Sequence, residues 1–197
     1  LEVEGNFELI DDMEKVTNNS QRLLNMINSL LDLAKIEAGK LDLHNTDVSL
    51  AQLITSINDV IKPIAAKNQN NFNIHNLANI AQFVTDKDKL EQTLINLLSN
   101  ACKFTQQGEV SLTIYVGNEQ ITFDIEDTGI GLTAKQQEYI FEEFRQVDSG
   151  DSRQFGGTGL GLAISQRFVE LMNGRISVVS EVNKGSVFSV IIPHNSV

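Results

Sequence analysis

Several residue types are scarce in this chain of 197 residues. It has no tryptophan, two prolines and one cysteine. A single cysteine cannot form an internal disulfide, and the place of Cys102 in an apolar helical stretch predicts a small buried core residue in a reducing compartment. Basic residues are also few, since 15 Lys and Arg stand against 26 Asp and Glu for a formal net charge of −11. Because a nucleic-acid surface must be basic to neutralise phosphates, the sequence argues against a nucleic-acid partner.

Long hydrophobic runs are missing too. No stretch approaches the roughly 18 apolar residues needed to span a bilayer, so any membrane attachment is expected from regions outside this chain. The chain opens LEVEGNFE, with neither an initiator methionine nor a signal pattern, which predicts a fragment of a longer protein. We expect a cytoplasmic location, within a full-length protein that could be membrane-anchored. With 41% hydrophobic residues, the chain can form one sizeable core and an appendage.

The sequence predicts one long amphipathic helix over residues 8–38. Its apolar stripe alternates spacings of four and three, which is typical of coiled-coil or bundle packing. The stripe consists of Leu9, Met13, Val16, Ser20, Leu23, Ile27, Leu30 and Ala34. Leu24 and Leu31 widen it, which favours a helix bundle. Gly39 is placed to end the helix, so we predict one domain over residues 1–43 and a second over residues 44–197.

The second domain is predicted to mix helices and strands. Ser49 with Gln52, and Asp86, are placed to cap two helices, the first with an apolar face that includes Val60 and the second running to about Ala101. A third helix is predicted over Thr158–Asn173 and ends at Gly174, and strands are predicted around residues 72–74, 83–84, 110–116, 120–127, 176–181 and 187–192. This pattern predicts an α+β fold, a two-layer α/β sandwich with a mixed β-sheet, preceded by the long coiled-coil or bundle helix.

A polar row interrupts the helix that follows Asp86. Asn96, Asn100 and Lys103 recur at i, i+4 and i+7, which places two amides and an ammonium group on one face. Such a row could meet a triphosphate and its metal, because a carboxamide oxygen is a suitable ligand for Mg²⁺. The alternative is an ordinary solvated face.

The strand before DTGIG aims a carboxylate inward. Residues 121, 123 and 125 are apolar and share one face of the strand, and Asp127 continues that face. A buried carboxylate needs donors, and an adenine amine is a natural one where Gly129 and Gly131 let a ligand approach the backbone. The alternative is an Asp that caps a turn.

The segment GGTGLGLAI sets four glycines before an amphipathic helix. Free backbone N–H groups at such a helix start can cradle a phosphate. The segment is neither a P-loop, because it lacks GxxxxGK[ST], nor a dinucleotide fingerprint, because the polar stretch Ser149–Phe155 precedes it instead of a strand. It closes a long segment, Thr133–Phe155, that we predict to be a lid carrying Phe141 and Phe144.

In this order, NLLSNACKF (96–104), DTGIG (127–131), FEEFRQ (141–146) and GGTGLGLAI (156–164) resemble the N, G1, F and G2 boxes of sensor histidine kinases. The wider resemblance is to the ATPase fold shared with gyrase, mismatch-repair and heat-shock-chaperone ATPases, and it spans essentially the whole chain. It implies an ATP-dependent protein-histidine kinase with ATP and Mg²⁺ as cofactors.

The resemblance also implies roles for individual residues. Asn100 would bind Mg²⁺, Asn96 and Lys103 would contact phosphates as the catalytic pair, and Asp127 would contact adenine. The complete set of ATP-binding residues that it implies is Asn96, Asn100, Lys103, Phe104, Asp127, Gly129, Ile130, Gly131, Phe144, Gly157, Thr158, Gly159, Leu160, Gly161 and Leu162.

The N-terminal helix, ending LLDLAKIEAGKLDL, resembles the second helix of the dimerisation domain that carries the phosphoacceptor histidine. The resemblance implies a homodimer through this helix in the full-length protein and a response-regulator receiver domain as partner. The lid sequence is especially similar to that of hybrid kinases.

Two departures qualify the resemblance. His44, His75 and His194 lie outside any amphipathic helix, so the phosphoacceptor is expected outside this chain, and the fragment alone should not autophosphorylate. At position 96 the hydrolysing relatives are expected to carry a glutamate, whereas Asn96 cannot act as a general base. A hydrolysing or serine-phosphorylating member of the same superfamily, or a nucleotide-binding scaffold, remains the alternative.

Overall fold

The computed structural model describes residues 2–117, 119–145 and 158–194, and these contain five helices and seven strands. Contacts divide the chain into two compact units, Leu1–Leu41 and Asp42–Val197. In chain order the elements are α1 Glu2–Glu37, β1 Asn45–Ser49, α2 Leu50–Lys67, β2 Asn71–Asn76, β3 Gln82–Asp86, α3 Lys87–Phe104, β4 Glu109–Val116, β5 Gln120–Asp127, α4 Ala134–Tyr139, α5 Gly161–Leu171, β6 Arg175–Glu181 and β7 Gly185–Pro193. Within these residues no helix is both long and apolar enough to cross a membrane.

The first unit is the single long helix α1. It ends where the sequence predicts, because Gly39 takes a left-handed φ of +63°. The N–H of Gly39 donates to Ile36 O at 2.9 Å and that of Lys40 to Lys35 O at 2.9 Å, which is the Schellman pattern. Many large apolar side chains of α1 are exposed, among them Met13, Val16, Leu23, Leu24, Met26, Ile27, Leu30 and Leu31. The side chain of Leu9 lies outside the described part.

The second unit is built on a five-stranded sheet in the order β2-β4-β5-β7-β6. β2 runs parallel to β4, and the remaining neighbours are antiparallel, so the sheet is mixed as predicted. β1 and β3 form a separate antiparallel pair. Helices α2, α3 and α5 pack on the sheet and on one another, which completes the two-layer sandwich.

Local sequence signals account for the helix starts. The Ser49 side chain accepts from Gln52 N at 3.4 Å and caps α2, and the Asp86 side chain accepts from Lys89 N at 3.0 Å and caps α3. One face of α3 is apolar and buried, with Cys102 fully buried beside it; this face comprises Leu90, Leu94, Leu97, Leu98 and Ala101. Burial raises the pKa of the Cys102 thiol to about 11, with the Asp127 carboxylate as a second cause.

Four predictions about the elements need correction. α5 begins at Gly161, not Thr158, because Gly159 has a left-handed φ of +72°. Val60 is 40% exposed, since the buried face of α2 is narrower than predicted. α3 continues three residues beyond Ala101 to Phe104.

The fourth correction concerns the predicted lid, which contains the short helix α4. Thr133 and Gln136 form a complete capping box at its start. Residues 146–157, including the predicted ATP-binding residue Gly157, lie outside the described part.

Candidate nucleotide-binding site

The polar row of α3 faces the first turns of α5. Asn96 Nδ2 donates to Ser165 Oγ on α5 at 2.9 Å. Asn100 and Lys103 continue the row and are half-buried, and the Lys103 ammonium lies 4.8 Å from the centre of the Phe104 ring. Asn96, at one end of the row, therefore contacts α5, and the rest of the row is partly accessible to solvent.

α5 starts with an uncapped N-terminus next to this row. Its N-cap residue, Leu160, is buried and makes no side-chain cap, although its N–H donates to Thr158 Oγ1 at 3.2 Å. A Cβ on Gly161 would lie only 2.6 Å from Asn96 Oδ1, so glycine is required for the two helices to approach this closely. The first N–H groups of this eleven-residue helix have no partner within the helix, and such a helix start attracts anions. Leu162 follows in the first turn and is half-buried.

Asp127 lies at the end of β5 and is 6% exposed. Its Oδ1 accepts from Gly129 N at 2.8 Å. Burial raises the pKa of the Asp127 carboxyl above its ordinary value, although hydrogen bonds from Gly129 and Ser186 act in the opposite direction. The carboxylate is thus hydrogen-bonded within the protein, and its raised pKa reflects burial.

The two glycines after Asp127 form a tight turn between neighbouring elements. A Cβ on Gly129 would lie 2.3 Å from Phe104 O, and one on Gly131, which has φ +64°, would lie 2.0 Å from Glu181 O. Between them Ile130 donates its N–H to Phe104 O at 3.3 Å and is 46% exposed. The turn therefore lies against the end of α3, with its backbone close to open solvent.

The described flanks of the predicted lid meet each other. The N–H of Phe144 donates to Gly159 O at 3.0 Å. Both residues have left-handed φ, +60° for Phe144 and +72° for Gly159, and the Phe144 ring is 63% exposed. Phe141 instead packs edge-on against Phe188 of the sheet, with ring centres 6.3 Å apart. Of Phe141 and Phe144, the second is therefore the more exposed.

Three hydroxyl residues of this region were not predicted from the sequence. Ser165 contacts Asn96, Ser186 lies opposite Asp127 in the β5–β7 register, and Thr105 is buried at the C-terminus of α3. Each depends on the pairing of elements far apart in the chain. Only the position of Thr105, directly after NACKF, could have drawn attention to it.

The three histidines lie in strand and loop positions. His44 precedes β1 and is exposed, His75 is exposed on β2, and His194 is 5% exposed just after β7. None of the three lies on a helix.

The fold is the α/β sandwich that the motifs predict, and comparison with known proteins agrees with this prediction. Residues 85–196 match the family described as histidine kinase-, DNA gyrase B- and HSP90-like ATPase. The circadian input-output histidine kinase CikA of Synechococcus elongatus is 38% identical over 187 residues, which cover 93% of this chain and 25% of CikA.

Two solved structures share the fold. The crystal structure of full-length ShkA in complex with AMPPNP matches with a TM-score of 0.82 and 28% identity, over 91% of this chain and 37% of ShkA. That of the histidine kinase ThkA in complex with the response regulator protein TrrA matches with a TM-score of 0.71 and 21% identity, over 91% of this chain and 49% of that one.

The chain therefore belongs to the histidine kinase-, DNA gyrase B- and HSP90-like ATPase family, and the relative that it matches over most of its length is a histidine kinase. The predicted fold class and family are confirmed. The chain spans about a quarter of the length of CikA and just over a third of ShkA.

Proposed function

We propose that this chain binds Mg·ATP among α3, the glycine turn after β5 and the start of α5. In the full-length protein it then transfers the γ-phosphoryl group to a histidine on a dimerisation helix outside this chain. The observation that carries the proposal is the contact of Asn96 with α5, because it sets the polar row of α3 beside an uncapped helix N-terminus. Phosphoryl transfer needs little more from a protein than positioning and charge neutralisation.

In this proposal Asp127 accepts a hydrogen bond from the exocyclic amine of adenine. The phosphates meet Asn96, Lys103 and the first N–H groups of α5. Asn100 offers a half-buried carboxamide oxygen four residues along the same face. That donor fits Mg²⁺, which takes one or two protein ligands and completes its shell with phosphate oxygens and water. When bound, Mg²⁺ would neutralise phosphate charge.

Asn96 also favours transfer over hydrolysis. Its amide is engaged with Ser165 and has no basic site that could take a proton from water. ATP bound in this site would therefore be hydrolysed slowly and would react when an acceptor side chain is present. A serine-phosphorylating activity would differ from the proposal in the residue that receives the γ-phosphoryl group.

The apolar stripe of α1 supplies the proposed docking surface for the acceptor helix and for a second copy of this chain. Leu23 is 59% exposed and Leu30 is 42% exposed, and a contiguous apolar face of this length on a soluble helix is typical of an interface. The receiver domain of a response regulator is the proposed partner after the histidine is phosphorylated, in the cytoplasm, where ATP is available.

Isothermal titration of this chain with ATP and Mg²⁺ tests the binding step. Saturable binding is expected, and Asn100→Ala should weaken it more with Mg²⁺ than with EDTA present. For transfer, γ-labelled ATP is added with a polypeptide that carries the upstream histidine helix. Label is expected on that helix and absent from this chain. No binding at millimolar nucleotide, or label on serine or on His44, His75 or His194, would contradict the proposal.

A further inference from the structure

Asn70 carries a buried carboxamide at the corner between α2 and β2. The residue is 7% exposed. Its Nδ2 donates to Cys102 O at 3.0 Å and to Thr105 O at 2.9 Å. Its Oδ1 accepts from Gly108 N at 3.1 Å. The three partners match the two donors and the acceptor of an asparagine, whereas a carboxylate of the same shape would set an oxygen against two carbonyls.

The carbonyls that Asn70 serves lie at the end of α3. Cys102 belongs to the last turn of this helix, and Thr105 is its C-cap residue. The last carbonyls of a helix have no partner within the helix, so they need donors from elsewhere. Asn70 supplies them from 32 and 35 residues earlier in the chain. Because Asn70 N also donates to Ala65 O at 3.0 Å, the residue ties the end of α3 to the end of α2.

The last turn of α3 has a second attachment, to the glycine turn that follows β5. The carbonyl of Phe104 accepts from Ile130 N at 3.3 Å. There is no spare room at this contact, because a Cβ on Gly129 would lie 2.3 Å from the same carbonyl oxygen. The last turn of α3 is therefore fixed both to the α2–β2 corner and to the glycine turn. Lys103 lies within it, so a shift of this turn would move the base of the lysine side chain.

We propose that Asn70 is a positioning residue for the nucleotide site, which holds the last turn of α3 so that the Lys103 ammonium can contact a phosphate. The inference rests on the proposed binding of Mg·ATP. Asn70 itself touches no ligand, since its side chain is buried and bonded within the protein. It acts through the backbone that carries Lys103, because a binding group on a fixed backbone loses less freedom when the ligand binds.

Asn68 provides a matched control in the same corner. Its Nδ2 also donates to Cys102 O, at 2.8 Å. Asn68→Ala therefore leaves Cys102 O with the Asn70 amide as a donor. Asn70→Ala removes the bonds to Thr105 O and to Gly108 N as well. Both variants lose the same type of side chain from the same corner, but only Asn70→Ala loses the bond to the C-cap residue of α3.

Titration calorimetry with Mg·ATP tests the inference, at a temperature at which circular dichroism shows every variant fully folded. Asn70→Ala should raise the Kd about 10-fold, the size of loss that follows when the partner orienting a binding group is removed. Asn68→Ala should leave the Kd nearly unchanged. In a Lys103→Ala background, Asn70→Ala should have almost no further effect on the Kd, because residues that act as a unit are not additive.

A purely structural role would give another pattern. Asn70→Ala would then lower the unfolding temperature without changing the Kd of the folded chain, and that result would overturn the inference. An equal loss of affinity with and without Lys103 would also overturn it, because Asn70 would then act through another part of the site. If Asn70→Ala does not fold, Asn70→Ser is compared with Asn68→Ser, and equal Kd values for these two would contradict the inference. Failure of the unaltered chain to bind ATP at all would instead overturn the proposed function, and the inference with it.

Discussion

Asp127→Asn should weaken nucleotide binding without weakening the fold. The substitution keeps the size and one acceptor oxygen, which can still bond Gly129 N, but it replaces the charged acceptor proposed for the adenine amine by a neutral amide. If the amine is left poorly paired in this buried place, the loss is about 1–3 kcal/mol, or roughly 5- to 150-fold in affinity.

The stability of the nucleotide-free protein should respond in the opposite sense. Burial holds the pKa of the folded-state Asp127 carboxyl above its ordinary value. The contribution of this group to stability is therefore complete below the ordinary pKa and is lost as the pH rises through the folded-state value. At neutral pH the ionised carboxylate opposes folding, and the asparagine variant has no such group. The free energy of unfolding should thus be equal or higher for Asp127→Asn at pH 7, and the advantage should shrink towards pH 3.

Two measurements on the same samples decide the matter. Titration calorimetry with Mg·ATP gives the change in affinity, and urea denaturation at pH 7 and pH 3 gives the change in stability. Asp124→Asn is a control, because Asp124 lies on the same strand, with its side chain bonded to Tyr115 on the other face of the sheet. An unchanged affinity would move adenine away from Asp127. A large loss of stability at pH 7 would show that the carboxylate supports the fold, and the reasoning about its burial would be refuted.

Three further predictions concern other parts of the chain. Gly131→Ala should destabilise the protein by about 2–4 kcal/mol in a denaturation experiment, because its Cβ would lie 2.0 Å from Glu181 O. Gly39→Ala is the control: Gly39 has nearly the same φ but no atom within 4 Å of the added Cβ, so the substitution should cost only about 1 kcal/mol. Equal losses of stability in the two variants would contradict the clash. Phe144→Gly should change the free energy of unfolding by less than about 1 kcal/mol, since relief of the left-handed φ offsets the added conformational freedom of glycine. The same variant should bind ATP more weakly when the affinity is measured by calorimetry. An unchanged affinity would exclude the Phe144 ring from the site. Leu23→Asp should abolish the transfer of label from γ-labelled ATP to an added acceptor helix, because a charge buried in a helix interface is costly. The affinity for ATP should stay the same, because the proposed nucleotide site lies in the other unit. Retained transfer would show that the apolar stripe of α1 is not the docking surface.

The parts of this fold that depend on local periodicity could be read from the sequence. The strand Gln120–Asp127 has the predicted bounds, because its apolar residues alternate without interruption and a glycine turn precedes it. The cap at Asp86 and the helix end at Gly39 were predictable for the same reason, since each signal lies within a few residues of the event that it controls. The start of helix α4 is also a local signal, because Thr133 and Gln136 lie three residues apart and form its capping box.

The site was only half predictable, because half of it depends on which elements become neighbours. The spacing of Asn96 and Asn100 shows that they share a helix face, but it does not show that Ser165 of another helix meets that face. Ser186 comes to Asp127 through a strand register set by the entire β5–β7 ladder. Such contacts join residues far apart in the chain, and no short-range pattern encodes them.

Four unusual features lie at the residues of the proposed nucleotide site and its surroundings. Asp127 is buried with a raised pKa, Thr105 has an unpaired hydroxyl, and α5 begins without a side-chain cap. Phe144 holds a left-handed φ at the flank of the lid segment. Burial of the Asp127 carboxylate and the left-handed φ of Phe144 each cost stability in the empty protein, and an anion at the start of α5 or an aromatic contact to Phe144 would be favourable in a complex. Because a ligand that binds only the folded state adds RT ln(1 + [L]/Kd) to its stability, the same features should make the unfolding temperature rise steeply with ATP concentration.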